Sequence, residues 1–338
     1  MPLQVPAHLP PPLDASLTGS PPRRPGSVRR TATIDMVWPD GWGTPLRLVG
    51  RARDLATPRD GAGEPVVLGR AEMQATIGPE RVITAIETVP SPDGIEGLIG
   101  TQAGSYLRGA IDDALPGERE AATPLHVLLD DIAGTSLIAG FAVTRWQPGL
   151  FRDMARRAPD FGVRKGKVIC SGLRPEGWAQ TTRAAGEDPG HAVRPAGDIS
   201  TPDDPWGWHE WPERPPMCMR RHRRIDVRRV ADAIVVDSFF RDSCWEPDGS
   251  ELSLHEYSVE AEVDANAHTL NAVRATPRVL PFPECQWAAP NVDLIIGMHV
   301  DRFRTSVQET LTELQCCTHL NDMLRGLAEV PKLAAALD

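Results

Sequence analysis

The sequence feature that most constrains the fold is an internal repeat, in which two blocks follow the same order of segments. Each block opens with an Arg-rich entry into an Ile-Asp pair, at Arg29–Val37 and at Arg223–Val230. Two stretches of alternating apolar residues follow in each block, separated by GPE or DAN, as expected for β-hairpins. A repeat of this kind indicates that one structural unit forms twice. Further matched segments are Arg53-Asp54 with Arg241-Asp242, Glu72–Pro90 with Ser258–Pro277, and Leu98-Ile99-Gly100 with Ile295-Ile296-Gly297.

Both blocks end in a helical segment with one histidine near its start, His126 in the first block and His319 in the second. Strands followed by helices indicate an α+β fold and not alternating βαβ units. We therefore predict two tandem related units, each an antiparallel sheet of about four strands covered by two or three helices. The two units are expected to pack as a pseudo-dimer, the intramolecular counterpart of a two-fold interface. The alternative is two unrelated α+β units that match by chance.

The segments outside the repeat differ from it in composition. The segment at 1–28 is rich in Pro and has little apolar periodicity, which predicts disorder. The segment at 151–221 contains, towards its end, a Trp-rich stretch at 206–211 whose large rings are costly to leave in water. This stretch is expected to cover a folded surface, either as a covering loop or as an active-site lid or aromatic substrate wall. The predicted organisation is a disordered tail at 1–28, a degenerate first unit at 29–150, an irregular linker and covering segment at 151–221, and a second unit carrying the site at 222–338.

The composition excludes several classes of protein. Lys and Arg total 36 against 46 Asp and Glu, and a net charge of −10 argues against a dedicated binder of duplex DNA. No apolar run reaches the length of a membrane span and no secretory signal precedes the fold, so we expect a cytoplasmic protein without a membrane partner. Six cysteines are too few for a disulfide scaffold. No nucleotide-binding or α/β-hydrolase motif occurs. The basic run Arg220–Arg229 is expected to pair with carboxylates, with an anionic substrate clamp as the alternative.

The second block alone combines cysteines with several histidines. His255 lies at the start of a predicted strand, Cys285 in the loop after the hairpin, and Cys317 at the start of the last helix. These three positions can converge at one end of a small α+β layer. Thiolate and imidazole are the ligands that zinc and related metals prefer, and a helix N-terminus favours the thiolate. We therefore predict a metal site of His255, Cys285 and Cys317, with zinc as the expected metal and iron as the alternative.

Two neighbouring residues are candidates for proton transfer. Glu256 follows His255 and is a candidate general base, although strand alternation points its side chain to the opposite face. His319 is the alternative acid or base if it is not a ligand, and His319 or Asp242 is the candidate fourth ligand or supporting partner. Two other interpretations stay open, namely catalysis by cysteine and histidine without a metal, and buried cysteines without chemistry.

Five short motifs in the second block resemble a bacterial family of unknown function. They are Arg223–Asp226, Leu254-His255-Glu256, Pro283-Glu284-Cys285, Ile295-Ile296-Gly297 and the terminal Cys-Thr-His-Leu at Cys317–Leu320. The resemblance implies no particular activity, but it strengthens the case for His255, Cys285, Cys317 and His319. A weaker similarity is to the U-type iron–sulfur scaffold proteins, whose order of cysteines is matched by Cys244, Cys285 and Cys317. Cys244 lies well ahead of its strand, so this similarity implies the α+β layer more than an iron–sulfur activity.

These observations together favour a metal-dependent enzyme of the lyase or hydrolase type, acting on a small, largely apolar catabolic substrate. The metal would act as a Lewis acid at an open coordination position. The alternative function is a non-catalytic metal or iron–sulfur carrier, and a third is an interaction protein with incidental cysteines. The expected partner is a small-molecule substrate, with no nucleic acid and a possible homo-oligomer.

Overall fold

The computed structural model describes residues 13–147 apart from 62, and residues 163–337 apart from 165–166, 186, 188–189, 202 and 214. The first part of the chain forms four long strands and then four helices. The second and third strands alternate more and less buried residues over part of their length, as expected for strands with one face against a helical layer, whereas the first strand is buried along almost its whole length. The bounds are β1 (Ser27–Val37), β2 (Leu46–Thr57), β3 (Val66–Ile77), β4 (Ile83–Val89), α1 (Leu107–Ala114), α2 (Glu118–Ala121), α3 (Pro124–Ile138) and α4 (Phe141–Trp146).

The last part of the chain repeats this order, after a middle segment with short elements. The middle segment contains β5 (Val163–Arg164), β6 (Lys167–Val168), α5 (Trp178–Ala184) and β7 (Arg194–Pro195). The last part contains β8 (Met219–Val230), β9 (Ala233–Trp245), β10 (Glu251–Asp264), β11 (Leu270–Val279), α6 (Phe303–Thr310), α7 (Thr318–Arg325) and α8 (Val330–Ala335). A long 3-10 helix, Pro283–Ile295, leads from β11 towards the helices. Mixed helices and an antiparallel sheet confirm the α+β class.

The long strands form one continuous antiparallel sheet in the order β11-β10-β9-β8-β1-β2-β3-β4, and β7 pairs with β10 to give nine strands. Two four-stranded meanders therefore meet edge to edge at β1 and β8. Buried ion pairs cross this junction reciprocally: Arg29 binds Asp226 at 2.6 Å, and Arg220 binds Asp35. The prediction that the Arg-rich entries pair with carboxylates is confirmed at these four residues.

The helices cover one face of the sheet. Helix α3 packs on β1, β2 and β3, and α7 packs on β9 and β10. The stretch Pro124–Trp146 is long and apolar enough to cross a membrane by length and composition, but most of it is buried inside the fold. This stretch, which comprises α3 and α4, therefore lies mostly in the core of the fold. A cytoplasmic location stays a prediction.

The other face of the sheet is covered by segments that were expected to be disordered or irregular. Residues 13–26 lie along it, where the Ser16 hydroxyl and the Leu17 N–H bind the buried Glu256 carboxylate. Trp208 is 7% exposed and packs against Phe239. The expected disorder at 1–28 is therefore wrong for residues 13–28, because polar contacts replace the missing apolar periodicity. Residues 1–12 lie outside the described part. The middle segment is more ordered than predicted, and its Trp-rich stretch covers the sheet.

Candidate functional site

A β-bulge in β10 places the first site residue. Ser253 pairs with Ser243 and His255 pairs with Asp242, so Leu254 is an extra residue between the two pairs. Because of this extra residue, His255 faces the helical side of the sheet, next to Asp242 on the neighbouring strand. The His255 Nδ1 lies 3.2 Å from the Asp242 Oδ2. Bulges of this kind re-aim side chains and are common beside functional sites.

The second histidine of the site comes from the helical layer. His319 lies in the first turn of α7, and its ring stacks on that of His255 with centroids 3.6 Å apart and planes 23° from parallel. The His319 Nε2 is 3.9 Å from the same Asp242 oxygen. Burial lowers the pKa of both imidazoles, so both are neutral at neutral pH. Two neutral imidazoles in contact with one carboxylate can accept or transfer protons.

The Asp242 carboxylate is held in its charged form by an arginine. Arg221 donates two hydrogen bonds to Asp242, at 2.8 and 3.1 Å, and a third at 3.1 Å to Asp131 of α3. Burial alone would raise the pKa of Asp242, but the Arg221 guanidinium and the His255 hydrogen bond keep it well below its usual range. Arg221 was not identified in the sequence as a site residue. Its place in the basic run Arg220–Arg229, which was expected to pair with carboxylates, was the one available signal.

Cys317 lies directly before α7, in contact with His319. The Cys317 carbonyl accepts the Asn321 N–H at 2.8 Å, which fixes the start of the helix. Burial raises the pKa of the Cys317 thiol, but the neighbouring His319 imidazole, the Leu320 N–H and the Tyr257 side chain outweigh it, so the pKa lies below the ordinary value. Burial raises the pKa of the Cys170 and Cys244 thiols to about 12 in each case. Cys317 is thus the cysteine that its surroundings favour as a nucleophile.

The structure groups a different set of ligand-type atoms from the one predicted. Among the described residues, one group of three such atoms lies within 4.8 Å of one another, from Asp242, His255 and His319. Cys285 and Cys317 are not part of that group. The Cys285 sulfur instead packs so closely on Gly172 that a β-carbon there would lie only 2.3 Å from it. The predicted trio of His255, Cys285 and Cys317 therefore does not form one coordination sphere, because the bulge turns His255 towards Asp242.

Glu256 is not brought into the site. It lies on the opposite face of the sheet, where it forms a fully buried ion pair with Arg241 at 2.8 Å. The Ser253 hydroxyl donates a further hydrogen bond to it at 3.1 Å. The interpretation of Glu256 as a general base is corrected by this placement, since its carboxylate oxygens are occupied by structural donors and the sheet separates it from His255.

The site geometry favours proton transfer over shared metal binding by the two imidazoles. An imidazole lone pair lies in the plane of its ring, so two nearly parallel stacked rings cannot both aim a lone pair at one ion about 2 Å away. In addition, both Asp242 oxygens already accept hydrogen bonds from Arg221. A metal bound by all three residues would require the rings to rotate apart and the carboxylate to change partners.

Aromatic side chains lie beside His319 and beside the nearby His191. Phe240 lies 6.0 Å from His319 between ring centroids, and His191 packs between Phe141 and Phe282 at 5.3 and 5.2 Å. The charge of His191 also contributes to the lowered pKa of His255. The His319 side chain is 20% exposed, whereas Asp242 is fully buried. The solvent side of the site is therefore at His319.

The fold and site together define an α+β protein with a buried cysteine, two stacked histidines and an arginine-held carboxylate. Residues 219–332, about a third of the chain, match a family model described as a protein of unknown function (DUF2889). This match contains Arg221, Asp242, His255, Cys317 and His319 but not Asp131, and it agrees with the resemblance of the second block to a family of unknown function. No curated protein and no solved structure is significantly similar to the chain. The similarity to U-type iron–sulfur scaffold proteins stays a prediction.

Proposed function

We propose that the protein is a thiol-dependent enzyme of the hydrolase type that acts on a small, largely apolar ester or thioester. Cys317 is the nucleophile, His319 transfers the proton, and His255, held by Asp242 and Arg221, positions His319. The observation that carries the proposal is that Cys317 neighbours His319, whose ring stacks at 3.6 Å on His255, and that a buried carboxylate holds His255. Phe240, with its ring centroid 6.0 Å from that of His319, supports an apolar substrate.

The reaction follows from the positions of these groups. The Cys317 sulfur attacks the substrate carbonyl carbon while His319 accepts the thiol proton. His319 then gives this proton to the leaving alcohol or thiol as the carbon–oxygen or carbon–sulfur bond breaks, which leaves an acyl group on Cys317. Water cleaves the acyl-enzyme with His319 as base, and its proton returns to the sulfur. His255 keeps the protonated His319 ring in place by stacking on it, because the Nδ1 of His255 is itself fixed on Asp242.

A second candidate is a metal-dependent enzyme, the class expected from the sequence. Its ligands to zinc or iron would be Asp242, His255 and His319 in place of the predicted trio. The observation in its favour is that the three ligand-type atoms lie within 4.8 Å of one another. Two histidines and one carboxylate are a common catalytic metal set. In this case Cys317 would lie beside the metal and not react itself. A non-catalytic metal carrier would use the same three residues without turnover.

The test compares alkylation, turnover and metal content in one set of variants. The purified protein is labelled with limiting iodoacetamide and mapped by peptide mass spectrometry, and hydrolysis of p-nitrophenyl acetate is followed in parallel. We expect Cys317 to label before the other five cysteines, and Cys317→Ser to lose hydrolysis. His319→Gln should slow both reactions at least tenfold. The matched control is His126→Gln, the histidine at the corresponding position of α3, which should leave both rates unchanged.

Two results would contradict the thiol mechanism. The first is labelling of Cys317 no faster than that of Cys170 or Cys244. The second is one zinc or iron per chain that is lost in both His255→Ala and His319→Ala, together with hydrolysis that a chelator abolishes. The second result would establish the metal-dependent candidate, and bound metal without hydrolysis would indicate the carrier.

We further propose that the two halves are copies of one unit, packed as a pseudo-dimer, and that the first copy has lost the chemistry. Arg30 binds Asp54 at 2.6 Å and Glu329 at 2.7 Å, as Arg221 binds Asp242 and Asp131. β3 carries a bulge at the corresponding place, where Gly69 pairs with Asp54 as His255 pairs with Asp242. Gly69 lies against Pro124, the first residue of the helix that carries His126, and Cys317 directly precedes the helix that carries His319. These parallels support the duplication.

A further inference from the structure

A cavity lies on the face of the sheet opposite to Cys317 and His319. Its volume is about 660 Å³, within the range of roughly 300–1,000 Å³ that small-molecule sites have. The walls come from β8, the end of β9, the turn before β10, the last residue of α4 and the covering segment. The sheet separates this cavity from the candidate active site, so a ligand here would not contact the reacting groups.

Three tryptophans form the apolar part of the wall. Trp146, Trp211 and Trp245 line the cavity, and the Trp146 Nε1 donates to the Trp245 carbonyl oxygen at 2.7 Å. The Arg220 guanidinium lies 5.7 Å from the Trp211 ring centroid and 5.5 Å from that of Trp245. Because Arg220 is itself held by the buried Asp35, the two indoles rest on a fixed support. The wall is therefore preorganised for the flat or apolar body of a ligand.

The charges that line the cavity are unbalanced towards the negative. The two arginines in the wall, Arg220 and Arg241, are each neutralised by a buried carboxylate that does not line the cavity. Four carboxylates face it as well, and among the described residues an ion pair is seen for one of them, Glu246 with Arg145. The four are Asp198, Glu213, Glu246 and Glu251. A negative cavity with indole walls attracts a cation, since indole faces also carry negative potential.

Two polar atoms in the wall have no hydrogen-bond partner among the described residues. One is the Oε1 of Glu251, which can only accept a hydrogen bond while it is ionised. The other is the Nδ1 of His222, whose side chain belongs to a residue that is only 4% exposed. Buried polar atoms without partners are uncommon in folded proteins and indicate a missing partner. The partner that suits the carboxylate oxygen is an N–H donor, and a cationic N–H donor suits it best.

We propose that this cavity binds a small organic cation, such as an ammonium or amidinium group on an apolar body. The cationic N–H groups bind Glu251, and the apolar body lies among Trp146, Trp211 and Trp245. His222 forms the inner end of the site. The cavity is thus a ligand site separate from the thiol centre, and it stands whether or not the proposed hydrolase activity is found.

Benzamidinium and its neutral isostere benzamide provide the test, with binding to the full chain measured by calorimetry or ligand-observed NMR. We expect saturable benzamidinium binding with a Kd below about 10 mM, at least tenfold tighter than that of benzamide. Glu251→Gln should weaken benzamidinium binding roughly tenfold, which corresponds to the loss of one charge-assisted hydrogen bond. Trp146→Leu should weaken both compounds, because it removes part of the apolar wall.

The controls separate this site from the surface and from the thiol centre. Glu72→Gln makes the same chemical change at an exposed position of β3 and should leave binding unchanged. Cys317→Ser should also leave it unchanged, which distinguishes failure of this proposal from failure of the proposed function. The proposal is overturned if benzamide binds as tightly as benzamidinium, if no saturable benzamidinium binding occurs, or if Glu251→Gln binds like the unmodified protein.

Discussion

Replacing Asp242 by Asn tests the central arrangement of the site, because it removes one charge and preserves the shape. Asp242 is fully buried, and its carboxylate accepts two hydrogen bonds from Arg221 and one from His255. Breaking a buried ion pair from one side costs about 3–5 kcal/mol, since the remaining charge is left without compensation. Arg221 keeps its 3.1 Å contact with Asp131, and the Asn oxygen can still accept one hydrogen bond. We therefore expect the lower end, about 3 kcal/mol of unfolding free energy.

The first half of the chain supplies a matched control for this change. Asp54 has the same bidentate contact with Arg30, whose third contact is to Glu329. Asp54→Asn should therefore lower the unfolding free energy by a similar amount. Only Asp242→Asn should slow the alkylation of Cys317, because only Asp242 fixes His255 beneath His319. The measurements are urea unfolding, where about 3 kcal/mol corresponds to a midpoint shift of about 1 M, and timed labelling with iodoacetamide.

Two outcomes would refute this reasoning. If Asp54→Asn slows Cys317 labelling as much as Asp242→Asn does, the effect reflects general destabilisation and not the position of the histidines. If Asp242→Asn leaves the urea midpoint unchanged, the buried ion pair does not stabilise the fold and the Asn has satisfied Arg221 equally well.

Two further predictions concern stability. Burial, together with nearby arginine charge, lowers the pKa of His209 to about 3, and its ring nitrogens each lie 2.8 Å from the hydroxyl of Thr31 or Thr33. The His209 imidazole takes up a proton below about pH 6.5 in the unfolded chain but not in the folded one, so the stability present above pH 6.5 is lost as the pH falls towards 3. Between pH 7 and 4.5, the unfolding free energy of His209→Gln in urea should therefore fall by about 2–3 kcal/mol less than that of the unmodified protein. An equal fall in both proteins would contradict the assignment. Gly172→Ala should cost about 1–3 kcal/mol because its β-carbon would meet the Cys285 sulfur at 2.3 Å. In a double-mutant cycle measured by thermal unfolding, Gly172→Ala should cost much less when Cys285 is also replaced by Ala. If the free-energy costs of the two substitutions simply add, the contact with the Cys285 sulfur is not the cause.

The alternation of residues was enough to predict the strands and the α+β class. The hairpins at Glu72–Pro90 and Ser258–Pro277 have the antiparallel pairing that their patterns indicate. What alternation could not predict is that β1 and β8 join the two meanders into one sheet. That junction depends on buried Arg–Asp pairs between residues almost 200 positions apart, such as Arg29 with Asp226. No local pattern distinguishes an arginine that pairs across a sheet from one that faces solvent.

The predicted disorder failed for residues 13–28 for a related reason. Low apolar content and many prolines indicate a chain that cannot bury enough surface to become ordered. Residues 13–26 become ordered through polar contacts instead, such as Arg23 with Asp204 and Ser20 with the Trp208 Nε1. The partners belong to a segment far along the chain, so the contacts are invisible to any argument from local composition.

At the site, the sequence was sufficient to identify the residue types but not their grouping. His255, His319 and Cys317 were all selected, and the opposite orientation of Glu256 followed from strand alternation. The grouping failed because one extra residue, Leu254, re-aims His255 without any signal such as Gly in the sequence. With His255 turned towards Asp242, its neighbours are a carboxylate and a second imidazole, and Cys285 is left against Gly172.

The first half of the chain contributes to the candidate site and does not only cover it. Asp131 belongs to α3 of the first half, yet it holds Arg221 and also binds Arg223 of the second half. Reciprocally, Glu329 of the second half holds Arg30 of the first. Each half therefore supplies a carboxylate to the arginine that fixes the other half's strand aspartate. Under the duplication proposed above, this exchange would explain why the first half keeps Arg30 and Asp54 although Gly69 and Pro124 stand where His255 and Cys317 stand in the second. Selection for a stable Arg221–Asp242 pair would then preserve Asp131 in the first half, whether or not that half has any chemistry of its own.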